Sequence, residues 1–181
     1  MPIFGDKSRF AIQYELDENF YGEWLYGRCY FWCNNMQIAK SKGSVTLRDV
    51  LFGSDRIQWG RPRSNPRFTN LSASEAFNLL NTCLYGFVIG GAREELSEEL
   101  EEASNNEQWL RHYVTPEAGN LYSYRLYLLE ESDHARLIFS KDPFNEVDEF
   151  ILNNGEFDAI LDEFRMELDN LYNQNREIKE T

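Results

Sequence analysis

The chain has 181 residues, 42% of them hydrophobic and 27% charged, with a formal net charge of −13. That size and composition suit one globular domain, expected over residues 1–181, that buries roughly 70% of its unfolded surface. A field of that sign repels phosphate backbones and anionic lipid and speeds encounter with basic proteins, so direct binding to nucleic acid or to a membrane surface is not expected.

At the amino end, MPIFGDKSRF has no apolar core of signal-peptide length, and the longest nearly apolar stretch, CLYGFVIGGA over 83–92, is about half a membrane span. A soluble, cytoplasmic protein is therefore expected. The first strand is RFAIQYELD, which alternates Phe10, Ile12, Tyr14 and Leu16 on one side with Arg9, Gln13 and Glu15 on the other, the period of a strand with one wet face. A second runs through WLYGRCYFWC, and Asn34-Asn35 can take the positive φ angles of a tight turn into MQIAK. Cys29 and Cys33 lie four apart in that strand, where about 3.3 Å per residue puts them roughly 13 Å apart, too far for a disulfide or for two ligands of one zinc ion.

Helices announce themselves by caps. Thr46 precedes LRDVLF with Asp49 three residues on, and Ser72 precedes ASEAFNLLNTCLYG with Glu75 three residues on and Gly86 as the expected stop. Between them GRPRSNPRF, 60–68, has two prolines and three arginines and reads as an irregular loop. Next comes REELSEELEEASNNE, 93–107, with seven glutamates. A helix there would bury Leu96, Leu100 and Ala103 and turn Glu94, Glu98 and Glu101 outward, with Glu95 and Glu102 beside them. The like-charge pairs along it each cost about 0.2 to 0.5 kcal/mol. Such a run is either a solvated face or a docking surface for a basic partner. It belongs to an uneven chain: residues 1–92 hold ten Lys or Arg against eight Asp or Glu, residues 93–181 eight against twenty-three.

Further on, LYSYRLYLLEESDHARLIFSK reads as a hairpin turning at Glu130 to His134. Its first strand is apolar or aromatic on both faces, which places it centrally in a sheet. The carboxy-terminal helix starts at NNGE, where Asn153 can cap and Glu156 can reach back. It buries Phe157, Ile160, Leu161, Phe164, Leu168, Leu171 and Tyr172 along one arc. Asp158, Asp162, Glu163 and Asp169 are expected on its outer side around a lone Met166. The sum is an α+β fold: an antiparallel sheet from an N-terminal meander and a later hairpin, packed with several helices including a long amphipathic one at the C-terminus.

The catalytic inventory is thin. The sequence has no phosphate-binding glycine loop, no G-x-S-x-G, no H-E-x-x-H and no C-x-x-C. His112 and His134 are its two histidines, the first in a short aromatic segment and the second in a turn, and Cys83 sits in a helix as core. No enzyme, cofactor or metal site is expected.

Four stretches, IFGDKSRFAI (3–12), GEWLYGRCYFW (22–32), SVTLRDVL (44–51) and NNGEFDAIL (153–161), resemble the immunity protein 42 family. The resemblance implies a small cytosolic bacterial protein that neutralises the toxin domain of a polymorphic or contact-dependent secreted toxin by stoichiometric binding. It carries no catalytic residues, and its partner would be the cognate toxin C-terminal domain, with a basic nuclease the class that an acidic half suits. On that reading Glu94, Glu95, Glu98, Glu101 and Glu102, with Asp158 and Asp162, are candidates for part of the toxin-binding face. The alternative is a secretion chaperone that binds an unfolded segment of an effector, for which a small acidic α+β protein is also a sensible composition.

Overall fold

The computed structural model describes residues 1–20, 22–41, 43–85, 108–116, 118, 121, 123–141 and 146–177. In chain order its elements are β1 (Ile3–Gly5), β2 (Phe10–Leu16), β3 (Tyr26–Cys33), β4 (Met36–Lys40), β5 (Val45–Thr46), α1 (Leu47–Trp59), α2 (Ala73–Tyr85), β6 (Tyr124–Glu130), β7 (Ala135–Lys141), β8 (Val147–Leu152) and α3 (Glu156–Glu177). The class is α+β with antiparallel sheets, as expected, and the chain forms two compact units. One comprises 1–58, 116–123 and 155–181; the other comprises 59–115 and 124–154.

The first unit is built on the sheet β1-β2-β3-β4, with β5 pairing the start of β3. Asn34 and Asn35 close the β3–β4 turn at φ 48° and 61°, the left-handed pair that a two-residue hairpin of this twist demands. One face of the sheet presents Phe10, Ile12, Tyr14, Cys29, Phe31 and Cys33, all buried. Phe157 lies over Phe10 at 5.0 Å, and Phe164 meets Phe4 and Tyr14 edge-on, so α3 covers this face with the arc of residues expected of it. The opposite face of β2 is wet only in part: Arg9 is exposed and Glu15 half-buried, as expected, whereas Ala11 and Gln13 are buried. Ala11 pairs with Trp32, and Gln13 lies between Ile3 and Tyr30, so both have large cross-strand neighbours.

Two starts of helices follow from their sequences, one of them with a difference. Thr46 Oγ1 bonds the Asp49 carboxylate at the head of α1. At α3 the carbonyl of Gly155 takes the N–H of Ala159 at 2.9 Å, so Gly155 fills the cap position expected of Asn153. Glu156 meanwhile accepts two hydrogen bonds from Arg9, at 2.7 and 2.9 Å.

The second unit is the sheet β6-β7-β8 with α2. Ser72 and Glu75 form a reciprocal capping box at the start of α2, Glu75 N–H to Ser72 Oγ at 3.3 Å and Ser72 N–H to Glu75 Oε2 at 2.8 Å. The expected stop at Gly86 lies outside the described residues. Phe77, Leu80 and Cys83 of α2 pack with Phe68, Trp109, Tyr113, Tyr127, Leu129 and Ile138 in one apolar cluster. β6 is covered on both faces, as its sequence implies, yet it is an edge strand, with β7 in the middle. Its free edge is closed by a short peptide: Val114 N–H donates to Leu126 O at 2.8 Å and Leu126 N–H donates to Thr115 Oγ1 at 2.9 Å.

Candidate functional site

The five run glutamates proposed from the sequence, Glu94, Glu95, Glu98, Glu101 and Glu102, lie outside the described residues. The other two are placed, and not where expected. Asp158 is buried and Asp162 is half-buried, whereas Glu163, Met166 and Asp169 do face solvent. For Asp162 the cause is a second helix against that flank of α3. Gln58 Nε2 of α1 donates to Asp162 Oδ1 at 2.6 Å, Asp55 pairs with Arg165, and Phe52 stands edge-on to Tyr172 at 5.5 Å. These contacts climb α1 as they descend α3, so the two helices run antiparallel along a seam, and the Asp158–Asp162 side of α3 faces that seam.

The rim of the seam is half apolar. Phe52 is 48% exposed despite its contact with Tyr172, and Met166 is 64% exposed between the outward carboxylates of Glu163 and Asp169. Trp59, seven residues after Phe52 and so on the same side of α1, is 82% exposed, more than any other large apolar side chain among the described residues. Sequence reading singled out Met166 but neither Phe52 nor Trp59, because one-residue exposure is invisible until the packed face of a helix is known.

In the second unit a pocket of about 210 Å³ is lined by Ser64, Asn65, Pro66, Arg67, Gln108, Trp109 and Arg111. Two short 3-10 turns make it, Pro66–Phe68 and Leu110–His112. Asn65 caps the first, its Oδ1 accepting the Arg67 N–H at 3.1 Å. Phe68 pins that turn to the second through edge contacts with Trp109 (5.7 Å) and His112 (5.1 Å). Gly60 allows the close approach, since a Cβ there would lie 2.8 Å from the Arg111 carbonyl oxygen.

The groups a covalent or proton-transfer mechanism would need are set for packing. Burial pushes Cys29 and Cys33 up to about 12 and Cys83 up to about 11, so all three stay thiols. His112 is fully buried, and burial holds it down at about 4. Among the described residues, no group of three or more His, Cys, Asp or Glu side chains is placed to hold a metal ion, and no helix is long and apolar enough to cross a membrane.

The model of the family "Immunity protein 42" matches residues 1–167, which takes in parts of both compact units. The chain belongs to the immunity protein 42 family. Among solved structures it is similar to CdiI from Burkholderia dolosa AUO158, with 21% identity and a TM-score of 0.71 over 92% of this chain and 99% of that one, a likeness of fold. No curated protein matches the chain significantly. Immunity protein 42 is a family of immunity proteins and not of enzymes, which accords with cysteines and a histidine given over to packing.

Proposed function

We propose that this protein binds and neutralises a cognate secreted bacterial toxin domain in the cytoplasm, using an acidic surface to meet it. The observation that carries the reading is the match of the immunity protein 42 model across 1–167, most of the chain. The fold shared with CdiI supports it at the level of architecture. The charge pattern supports the acidic surface, since twenty-three of the thirty-one Asp and Glu residues fall after residue 92. A field of that sign draws a basic toxin domain into encounter and fixes its orientation, which fits a nuclease partner better than an acidic one.

The proposed surface comprises Glu94, Glu95, Glu98, Glu101 and Glu102 with the exposed Glu163 and Asp169 of α3; Asp162 adds charge from the seam, and Asp158, buried at 9% exposure, contributes field without contact. Charges at a rim raise the association rate, while lifetime comes from buried anchors, the role for which Phe52 and Trp59 are available.

The test is a titration of the protein against the C-terminal domain of the large secreted protein encoded beside it, at low and high salt, with that domain's toxicity assayed in parallel. One-to-one binding that abolishes toxicity, with an association rate that falls as salt rises, is expected. Binding only to an unfolded segment of that partner would move the chain to the chaperone class, and no binding to the folded domain would overturn the immunity reading for that pair.

A further inference from the structure

We propose that Trp24, Arg48, Phe52 and Tyr172 of the first unit form the aromatic centre of a docking surface whose occupant is a folded, basic protein domain with an apolar recess. The inference rests on the immunity reading, under which that occupant is the toxin domain, and adds to it the residues that hold the partner once it has arrived. The four side chains form a connected set. The Arg48 guanidinium stacks on the Trp24 ring at 3.8 Å from its centroid. Phe52 follows Arg48 by four residues and so shares its side of α1. Phe52 in turn stands edge-on to Tyr172 at 5.5 Å. Trp24 is 40% exposed and Phe52 48%, so two aromatic rings reach water next to one arginine.

The chain reaches that arrangement through a strained turn. Gly22–Trp24 is a 3-10 turn, with Gly22 at φ 60° and, directly after the turn, Leu25 at φ 51°. Leucine rarely adopts the left-handed region, and residues held there concentrate at functional sites. Leu25 is held by its surroundings: its side chain is fully buried, its N–H donates to the Gly22 carbonyl at 3.1 Å, and its carbonyl accepts the Leu47 N–H at 3.0 Å. The inward Leu25 leaves its neighbour Trp24 at the surface, and the bond to Leu47 brings Trp24 to Arg48, the next residue of α1. Tryptophan, tyrosine and arginine dominate the binding energy of protein interfaces, whose centres are poor in net charge and whose rims are polar. Arg48 is neutralised by Asp49 at 3.3 Å, and the nearby Arg165 by Asp55. Each exposed ring already rests on a neighbour, so docking orders little that was loose. Around this centre the field is acidic: Asp169 is exposed one turn before Tyr172 on α3, and the chain carries −13 in all. That sign attracts a basic domain and repels a second copy of this chain.

The experiment pairs the full chain with the C-terminal domain of the secreted protein encoded beside it and takes two readings. Hydroxyl-radical footprinting of the unaltered complex should show the oxidation of Trp24 and Phe52, present in the free chain, lost on binding. Stopped-flow association and dissociation are then measured for Trp24→Ala and for Phe52→Ala, each first checked for its folded near-UV circular dichroism. Each should dissociate about tenfold or more faster, with an association rate within about twofold of the unaltered chain, because an anchor acts after encounter. Should a variant not fold, the footprint of the unaltered complex decides. Oxidation of both residues in the complex as in the free chain, or folded variants that dissociate at the unaltered rate, would overturn this inference and leave the immunity reading in place. Failure of the unaltered chain to bind the domain at all would overturn both, so the two failures are told apart by the first titration.

Discussion

His112 shows how completely the surroundings of one side chain decide its chemistry. Its Nδ1 lies 3.1 Å from the Leu128 carbonyl, which can only accept, so the neutral ring carries its proton on Nδ1. Burial holds the pKa at about 4, from an ordinary 6.5. The Leu128 bond pulls the other way, and the charges of Arg111 and Arg63 add to the depression. The unfolded chain therefore binds the proton more readily. The neutral ring's contribution is full above pH 6.5, declines as pH falls from 6.5 to 4, and is lost below that. The span corresponds to about 3 kcal/mol. His112→Asn, whose amide can reach the same carbonyl, should flatten that part of the stability–pH curve in urea titrations, at some cost in packing against Phe68. An unchanged slope would mean that other groups set it. The sequence places His112 in a short aromatic segment and has no means of telling packed from exposed, because that turns on Phe68 and Leu128, both distant along the chain.

Among elements, the β3–β4 hairpin was the most legible and gives the cleanest test. Both turn residues are Asn at positive φ, and their backbone N–H groups are tied down, Asn34 to the Arg9 carbonyl at 3.1 Å and Asn35 to that of Lys7 at 2.6 Å. Asn35→Gly removes the Cβ penalty of the left-handed region without touching those bonds. It should raise stability by about 0.5 to 1 kcal/mol, whereas Asn35→Val should lower it by about 1 to 2 kcal/mol, both read as shifts in the denaturation midpoint. Other elements were legible only in part, for one physical reason: hydrophobic periodicity reports which faces of a strand are covered and is silent about its edges. β6 has both faces buried and was placed centrally for that, yet, among the described residues, it is a peptide at Tyr113 to Thr115 that borders its outer edge. β8 went unread because VDEFIL puts Asp148 and Glu149 side by side and leaves both exposed. The outward face of β2 looked wet throughout because Ala11 and Gln13 do not reveal that Trp32 and Tyr30 are their cross-strand partners. The flank of α3 failed likewise: Asp158 and Asp162 are polar by type, and nothing in the sequence shows that Asp158 is buried or that α1 lies against Asp162.

At the scale of the molecule, the acidity that opened the sequence is divided between charges that structure the fold and charges that are free to act at a distance. Asp162 receives Gln58, and Asp55 holds Arg165, so reversing either would disturb the α1–α3 seam and confound any binding result. Glu163 and Asp169 are exposed on α3, and the run glutamates Glu98, Glu101 and Glu102 carry the densest charge in the sequence. If the acidic field guides the toxin, Glu98→Lys with Glu101→Lys and Glu102→Lys should slow association about tenfold or more at low salt and flatten its salt dependence. Dissociation should change little, because rim charges act on encounter. Glu163→Lys with Asp169→Lys should do the same to a smaller degree if α3 belongs to the face. Trp59→Ala should give the opposite signature, an unchanged association rate and a faster dissociation, since an aromatic anchor acts once contact is made. Stopped-flow association at several salt concentrations, with dissociation followed by dilution, distinguishes the three. Triple reversal of the run with no effect on rate or salt slope would remove those glutamates from the proposed face and leave them as a solvated surface. Neutralisation would then rest on shape and apolar contact alone.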